Sequence, residues 1–164
     1  MNIKIQKMEN GDWPSVKSIF NEGIATGNAT FMTECPSWEE WDRNHLKNCR
    51  LIVKSNNKII GWAALSPISG VCAYSGVAEV SIYLTSSIRG KGIGKSLLKT
   101  VIKESEKNGI WTLQAKIFPE NIASISLHKA CGFKKLGISE RIGQLNGKWR
   151  DVVLMERRSS TVGI

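Results

Sequence analysis

The 164-residue chain carries 23 Lys and Arg against 14 Asp and Glu, which gives a formal net charge of +9 at pH 7. Its 41% hydrophobic and 23% charged residues are typical of a soluble globular protein, and no apolar run approaches the ~20 residues of a membrane-spanning helix. No secretory signal is visible, and the four cysteines form no C-x-x-C pair. We therefore expect a cytoplasmic protein with reduced thiols, whose charge favours anionic partners without specifying one.

The first third of the sequence predicts one strand and two helices. The segment NIKIQKM alternates isoleucine with polar residues, as a strand does. Asp12 and Pro14 stand at the expected N-cap and first turn of a helix, whose apolar residues continue at helical spacing to Ile24. A second helix is indicated at SWEEW, where Ser37 and Glu40 match a capping box.

The central part predicts a hairpin, another strand and a long helix. Asn56 and Asn57 separate the two apolar runs of RLIVKSNNKIIGWAALSPI, and this pair tolerates the positive φ of a tight turn. The strand VAEVSIYLT follows. A long helix then begins near Gly92, carries one apolar stripe and ends near Gly109.

The last part predicts the strand IWTLQAKIF, a short helix capped by Asn121, and two strands joined through Asn146 and Gly147. The predicted order is β-α-α-β-β-β-α-β-α-β-β. A mixed sheet with helices on both faces is the economical α/β arrangement for this order. We predict one domain over residues 1–157 and a frayed tail over residues 158–164.

The segment IRGKGIGKS joins a predicted strand to the long helix. It is not a Walker A loop, because Arg89 occupies the place of the first glycine, and it lacks the third glycine of G-x-G-x-x-G. The free N–H groups of a helix start can nevertheless bind a phosphate, and Gly90, Gly92 and Gly94 would let it approach the main chain. A glycine-rich turn that merely begins a helix is the alternative.

Lysines recur every fourth residue along the long helix, from Lys91 and Lys95 to Lys107. The distal three are typical of a solvated face, whereas Lys91 and Lys95 lie where a bound polyphosphate would sit. A nucleic-acid-binding module is the non-enzyme alternative. It has little support, because no RNA- or DNA-binding motif accompanies the stripe.

These segments resemble the GNAT family of N-acetyltransferases, and within it the phosphinothricin N-acetyltransferase group. Arg89-x-x-Gly92-x-Gly94 is similar to the loop that binds the acyl-CoA pyrophosphate, and NIASISLHKACGF is similar to the segment N-x-x-A-x-x-L-Y-x-x-x-G-F. ATFMTECPSWEEW, AYSGVAEVSIYL and GKWRDVVLM are similar to further segments of the group. The resemblance implies a central splayed sheet, acetyl-CoA as cosubstrate without a metal, and acetylation of a small amino acid or analogue such as phosphinothricin or methionine sulfoximine. A protein N-terminus, a lysine or another amine is the alternative acceptor.

The resemblance implies a cofactor site on the strand, the loop and the following helices. Ile82, Tyr83 and Leu84 would offer backbone groups to the pantetheine and thioester, where an N–H group could stabilise the oxyanion. Asn121 matches the asparagine that helps hold the pantetheine arm. The expected cofactor-binding residues are Ile82, Tyr83, Leu84, Arg89, Gly90, Lys91, Gly92, Ile93, Gly94, Lys95, Ser96, Asn121 and Ser124.

The resemblance places the general base at Glu79. An alkyl ammonium must lose a proton before it attacks a thioester, and a glutamate with a raised pKa would suit that task. A carboxylate on an otherwise apolar strand is disfavoured and costly to bury, so it requires a reason. A salt-bridged structural glutamate is the alternative.

Further expected site residues also follow from the resemblance. His128 occupies the position of a tyrosine that protonates the departing thiolate, although a histidine that only packs the helix is equally compatible. Val71 and Val77 replace the usual Arg and Thr of the group, which makes phosphinothricin itself a doubtful substrate. We also expect a homodimer that binds a small amine and neither nucleic acid nor membrane. The expected substrate-binding residues are Phe31, Thr33, Tyr74, Trp149 and Asp151.

Overall fold

The computed structural model describes residues 2–164, so Met1 of the predicted domain lies outside the described residues. Within them, seven strands form one sheet in the order β1-β2-β3-β4-β5-β7-β6. The strands are β1 Ile3–Lys7, β2 Leu51–Ser55, β3 Lys58–Pro67, β4 Val77–Leu84, β5 Thr112–Ile117, β6 Lys134–Leu145 and β7 Lys148–Arg158. The helices are α1 Trp13–Ala25, α2 Trp38–Asn44, α3 Ile93–Lys107 and α4 Ile122–Ala130. Among these described helices, none combines the length and apolar character needed to cross a bilayer.

Helices cover both faces of the sheet. On one face, Phe20 of α1 and Trp41 of α2 pack around Trp62 of β3. On the other, Leu97 of α3 packs in the cluster that contains Ala63, the next residue of β3. Adjacent residues of a strand point to opposite faces, so the two clusters lie on opposite sides of the sheet. The α/β element order matches the prediction, and the predicted fold class is confirmed.

Local capping and turn signals in the sequence are realised. The Ser37 hydroxyl accepts from Glu40 N at 3.2 Å, and the Glu40 carboxylate accepts from Ser37 N at 3.3 Å. Asn56 and Asn57 adopt φ values of 48° and 66° at the hairpin turn. The Asp12 side chain differs from expectation because it accepts from Glu9 N at 2.8 Å, closing a short 3-10 turn before α1.

The carboxyl-terminal tail is held by side-chain contacts, so the expectation of fraying is not what the structure shows. Ser159 is 5% exposed, and its hydroxyl donates to Glu106 Oε1 at 2.9 Å. The Arg158 guanidinium donates to the carbonyls of Val162 and Gly163 at 2.8 and 2.6 Å. These hydrogen bonds to a charged group fix a segment that lies beyond the sheet.

Strands β4 and β5 separate part of the way along their length. Their parallel ladder joins Val77–Glu79 to Thr112–Gln114, yet β4 continues to Leu84 and β5 to Ile117. Beyond the pair of Glu79 and Gln114 the sheet therefore opens. This opening is the splay expected from the family resemblance, and it positions the candidate site.

Candidate active site

Two cavities meet at the opening between β4 and β5. The first, of about 690 Å³, is bounded by β4–β7 and the segment before α2; we call it the sheet cavity. The second, of about 520 Å³, lies between the end of β4, the glycine loop and α4; we call it the loop groove. The two cavities adjoin, because five residues contribute to the lining of both. The shared residues are Ala29, Ile82, Tyr83, Asn121 and Ser124.

The loop groove has the features of an anion site. Gly92 is the N-cap of α3 in the left-handed region at φ 76°, and Gly90 is at φ 78°. A Cβ atom at either glycine would meet no heavy atom within 4 Å, so the space in front of the helix start is open. Arg89 and Lys95 also line the groove. The free N–H groups of α3 and these two cations together can hold a phosphate or diphosphate.

Gly94 lines the loop groove as well and also allows close packing. A Cβ atom there would lie 3.1 Å from Leu84 Cδ1 and 3.4 Å from Leu127 Cδ2, so the glycine lets α3 approach β4 and α4. Of the remaining expected cofactor residues, Ile93 is 6% exposed and belongs to the core, while Lys91 and Ser96 are exposed outside the groove lining.

A carboxylate on α1 fixes the chain just before the glycine loop. Thr85 Oγ1 donates to the Glu22 carboxylate at 3.0 Å, and Ser86 N donates to Glu22 Oε2 at 3.1 Å. Thr85 directly follows β4, so this contact sets the path along which the chain enters the loop. Sequence reasoning missed Glu22, because nothing in the local pattern of α1 indicates a partner so far along the chain.

A second network fixes the segment Gly27–Asn28 at the junction of the cavities. The Asn121 side chain caps α4 by accepting from Ser124 N at 3.2 Å and donates to Asn28 O at 3.3 Å. Arg150 of β7 donates to Gly27 O at 2.8 Å and to Asn28 Oδ1 at 2.9 Å. Asn121 therefore joins the groove to this segment, and Arg150 is a positioning residue that sequence reasoning missed.

Glu79 lines the sheet cavity directly beside the point where the strands part. Its side chain is 30% exposed, and Oε2 lies 4.0 Å from Lys116 Nζ. Burial raises the pKa of Glu79, and the nearby Lys116 ammonium opposes that shift. The carboxylate is accessible from the cavity and has an increased affinity for a proton, as a general base requires.

His128 also lines the sheet cavity but is only 2% exposed. Its Nδ1 donates to the Ser124 carbonyl oxygen at 2.7 Å, which assigns the proton to Nδ1 because a carbonyl can only accept. Nε2 has no hydrogen-bond partner among the described residues. Burial lowers the pKa of His128, so the ring is held neutral. In this tautomer Nε2 can accept a hydrogen bond but cannot donate one.

Tyr83 lies where both cavities meet, with its ring stacked on Trp62 at 4.8 Å between centroids. Burial raises the pKa of Tyr83 to about 12, so the phenol keeps its proton at physiological pH. The ring fills the space beside Gly23 of α1, where a Cβ atom would lie 2.6 Å from it. The Tyr83 side chain therefore packs between Trp62 and α1.

The expected substrate residues are divided by the structure. Phe31 lines the sheet cavity and packs edge-to-face on Phe118 at 4.9 Å. Asp151 Oδ1 accepts from Arg141 N at 2.8 Å. Thr33, Tyr74 and Trp149 are exposed. Like Asp151, they are not among the residues that line the sheet cavity or the loop groove.

Several lining residues of the sheet cavity were missed by sequence reasoning. They come from β5 and the residue that follows it, from β6 and from β7, and the alternation along those strands could have indicated which of the strand residues share a face with Glu79. They are Lys116, Phe118, Ser139, Ile142, Val152 and Leu154. Across residues 2–164, no group of three or more His, Cys, Asp and Glu side chains is arranged to hold a metal ion.

Comparison with known proteins gives consistent matches. The model of the acetyltransferase (GNAT) family matches residues 13–133. A phosphinothricin N-acetyltransferase of Alcaligenes faecalis is 31% identical over 160 residues, which cover 93% of this chain and 81% of that protein. An L-methionine sulfoximine/L-methionine sulfone acetyltransferase of Pseudomonas paraeruginosa is 29% identical over 164 residues, covering 95% and 94% respectively. The crystal structure of a GNAT superfamily phosphinothricin acetyltransferase from Sinorhizobium meliloti, in complex with AcCoA, superposes with a TM-score of 0.88 at 29% identity, covering 99% of this chain and 91% of that one.

Proposed function

Because the chain belongs to the acetyltransferase (GNAT) family, we propose that it transfers the acetyl group of acetyl-CoA to the amino group of a small amino acid or amino-acid analogue. The single observation that carries this proposal is the junction of the two cavities at Ile82 and Tyr83. A carrier whose phosphates lie at the α3 start would deliver its acyl end through this junction to Glu79. A groove for a polyanionic carrier and an adjoining cavity with a base are what acetyl transfer needs.

The loop groove fits acetyl-CoA. Gly90 and Gly92 leave the helix start bare for the diphosphate, and Arg89 and Lys95 supply compensating charge. Asn121 and the backbone of Ile82–Leu84 lie farther along the groove, toward the sheet cavity. Since the β4–β5 ladder ends at Glu79, main-chain groups of β4 beyond it can hydrogen-bond to the pantetheine arm and the thioester carbonyl.

The sheet cavity supplies the proton acceptor. Glu79 takes a proton from the acceptor ammonium, directly or through a water molecule, and the free amine attacks the thioester carbonyl. A C–N bond forms and the C–S bond breaks, and the second proton, which the attacking nitrogen loses as the amide forms, passes directly or through water to the departing CoA thiolate. We assign His128 Nε2 as a hydrogen-bond acceptor for the amine or a water molecule. Protonation of the thiolate by His128, the role expected from the resemblance, would need a cationic ring, which burial opposes.

The proposal includes a homodimer in the cytoplasm. Strand β6 is an edge of the sheet and exposes Leu136, Ile138 and Ile142. An apolar edge strand favours association with another copy. Sedimentation equilibrium is expected to give twice the monomer mass for wild type. An Ile138→Lys variant should instead give the mass of one monomer. The four free cysteines agree with a reducing compartment.

The role of four residues as acceptor contacts stays a prediction. They are Thr33, Tyr74, Trp149 and Asp151.

An acceptor panel tests the function. Release of CoA thiol is measured with acetyl-CoA and α-amino acids, methionine sulfoximine, phosphinothricin, peptides with free N-termini, lysine peptides and polyamines. We expect the highest kcat/KM with an α-amino acid or analogue. Preference for a peptide would contradict the acceptor assignment and favour the protein-acetylating alternative. A rate equal to the blank with every amine would contradict acetyl transfer itself.

A further inference from the structure

The sheet cavity contains one pair of side chains with opposite charges. Among its lining residues within the described chain, Glu79 and Lys116 are the charged ones, and the buried His128 is held neutral. Glu79 is the last β4 residue in the ladder with Gln114, and Lys116 lies two residues beyond Gln114 on the same face of β5. The two groups therefore face each other across the opening of the sheet, 4.0 Å apart.

Lys116 remains available to a ligand. Its side chain is 52% exposed, and a distance of 4.0 Å is longer than a charge-assisted hydrogen bond, which spans about 2.7–2.9 Å. The carboxylate of Glu79 thus does not occupy the donors of the ammonium group. A small molecule in the cavity can meet both groups at once.

This pair of charges is complementary to an α-amino acid, which carries an ammonium and a carboxylate on one carbon atom. We propose that Lys116 binds the α-carboxylate of the acceptor while the α-amino group of the acceptor lies at Glu79. This inference rests on the function proposed above. Substrate selection then depends on a residue of β5. The exposed loop residue Val71, which occupies the position of an arginine common in the resembling group, lies outside the cavity lining.

The rest of the cavity sets the class of side chain. Phe31, Phe118 and Leu154 make one wall apolar, and Ser139 supplies a neutral polar group. A second anionic group, such as a phosphinate, would meet no second cation among the lining residues of the described chain and would be desolvated without a partner. The preferred acceptors are therefore amino acids with uncharged side chains, of the methionine sulfone or sulfoximine kind, over phosphinothricin.

Substrate pairs and matched variants test this assignment. Methionine sulfone is compared with its α-carboxamide and with phosphinothricin, using wild type, Lys116→Met, Lys116→Arg and the control Lys103→Met, which changes an exposed lysine outside both cavities. We expect wild type to favour the acid over the amide. Lys116→Met should lower kcat/KM for the acid by about 10- to 100-fold, as for loss of a hydrogen bond to a charged group, and lower that for the amide far less. Lys116→Arg should restore most of the preference, and Lys103→Met should match wild type.

Three results would overturn the inference. An equal loss for acid and amide in Lys116→Met, with a shifted acidic limb of the pH profile, would mean that Lys116 acts only on the pKa of Glu79. Equal use of acid and amide by wild type would remove the need for a carboxylate partner. A preference for phosphinothricin over methionine sulfone would contradict the side-chain class. Failure of the proposed function itself is distinguishable, because it would appear as no thiol release with any amine.

Discussion

Thr85 and Glu22 are 63 residues apart in the sequence, yet the Thr85 hydroxyl donates to the Glu22 carboxylate at 3.0 Å. Ser86 N donates to the same carboxylate at 3.1 Å. The first helix thereby holds the end of β4 at the point where the chain turns into the glycine loop. Glu22 is not among the residues that line the sheet cavity or the loop groove. We therefore expect Glu22 to affect cofactor binding only through the position of the glycine loop.

We expect Glu22→Gln to raise the KM for acetyl-CoA by about 3- to 10-fold, because the amide weakens two hydrogen bonds to a charged acceptor. The kcat at saturating acetyl-CoA should change little, since the chemistry occurs at Glu79. Steady-state kinetics over a range of acetyl-CoA concentrations measures both constants. Glu39→Gln, in the exposed first turn of α2, is the matched control. A fall in kcat with unchanged KM would contradict a positioning role for Glu22.

Substitution of Gly92 should separate cofactor binding from backbone strain. Gly92 and Gly109 have similar left-handed backbones, with φ 76° and 77°, and an alanine at either costs about 1 kcal/mol in that region. Gly92→Ala and Gly109→Ala should therefore lower the melting temperature by similar amounts. Only Gly92→Ala should raise the KM for acetyl-CoA, because its methyl group occupies the open space at the start of α3. Equal KM values in the two variants would show that the loop is only a turn.

The Glu79→Gln variant should lose activity without losing stability. Removal of a general base lowers kcat by ~10²-fold or more. Because burial raises the pKa of Glu79, the folded state favours the protonated form. The corresponding stability is present below the unfolded pKa and is lost as the pH rises through the folded pKa. At pH 7 the ionised carboxylate is therefore a cost to folding, and glutamine removes it.

Paired measurements of kcat and of urea unfolding at pH 7 check this trade between activity and stability. We expect Glu79→Gln to have a urea unfolding midpoint equal to or above that of wild type and to retain its affinity for acetyl-CoA. Wild-type turnover at every pH would reject the catalytic role of Glu79. A large loss of stability with unchanged kcat would support the alternative of a structural ion pair with Lys116.

The parts of the fold that follow from neighbours in the sequence were predictable. The capping box of Ser37 and Glu40 and the hairpin pair Asn56-Asn57 depend on contacts within a few residues, so their patterns are sufficient. The order of helices and strands along the chain followed from the same kind of local signals. Glu79 attracted attention because a carboxylate in an apolar strand is unusual, and the family resemblance supplied its expected role as general base.

The rest depends on contacts between distant segments. Glu22 meets Thr85, and Arg150 meets Asn28, across separations that no periodicity encodes. Lys116 acquires its meaning from the divergence of β4 and β5, which brings it to Glu79. These positions could be recognised only once the sheet had been built, because the side chains of the sheet cavity come from strands that are far apart in the sequence.

The buried imidazole of His128 should make the folded protein sensitive to acid. Burial lowers the pKa of His128, so the folded state binds fewer protons than the unfolded chain, whose histidines titrate at about 6.5. The stability from the neutral ring is fully present above that unfolded pKa and is lost as the pH falls toward the folded value. His128→Asn keeps a donor for the Ser124 carbonyl but cannot ionise in this range. Urea unfolding of both proteins between pH 8 and pH 5 should show a steeper loss for wild type, while His45, whose pKa burial also lowers, contributes equally to both. Parallel curves would mean that the ring is protonated as readily in the folded protein as in the unfolded chain, and would restore His128 as a candidate proton donor to the thiolate.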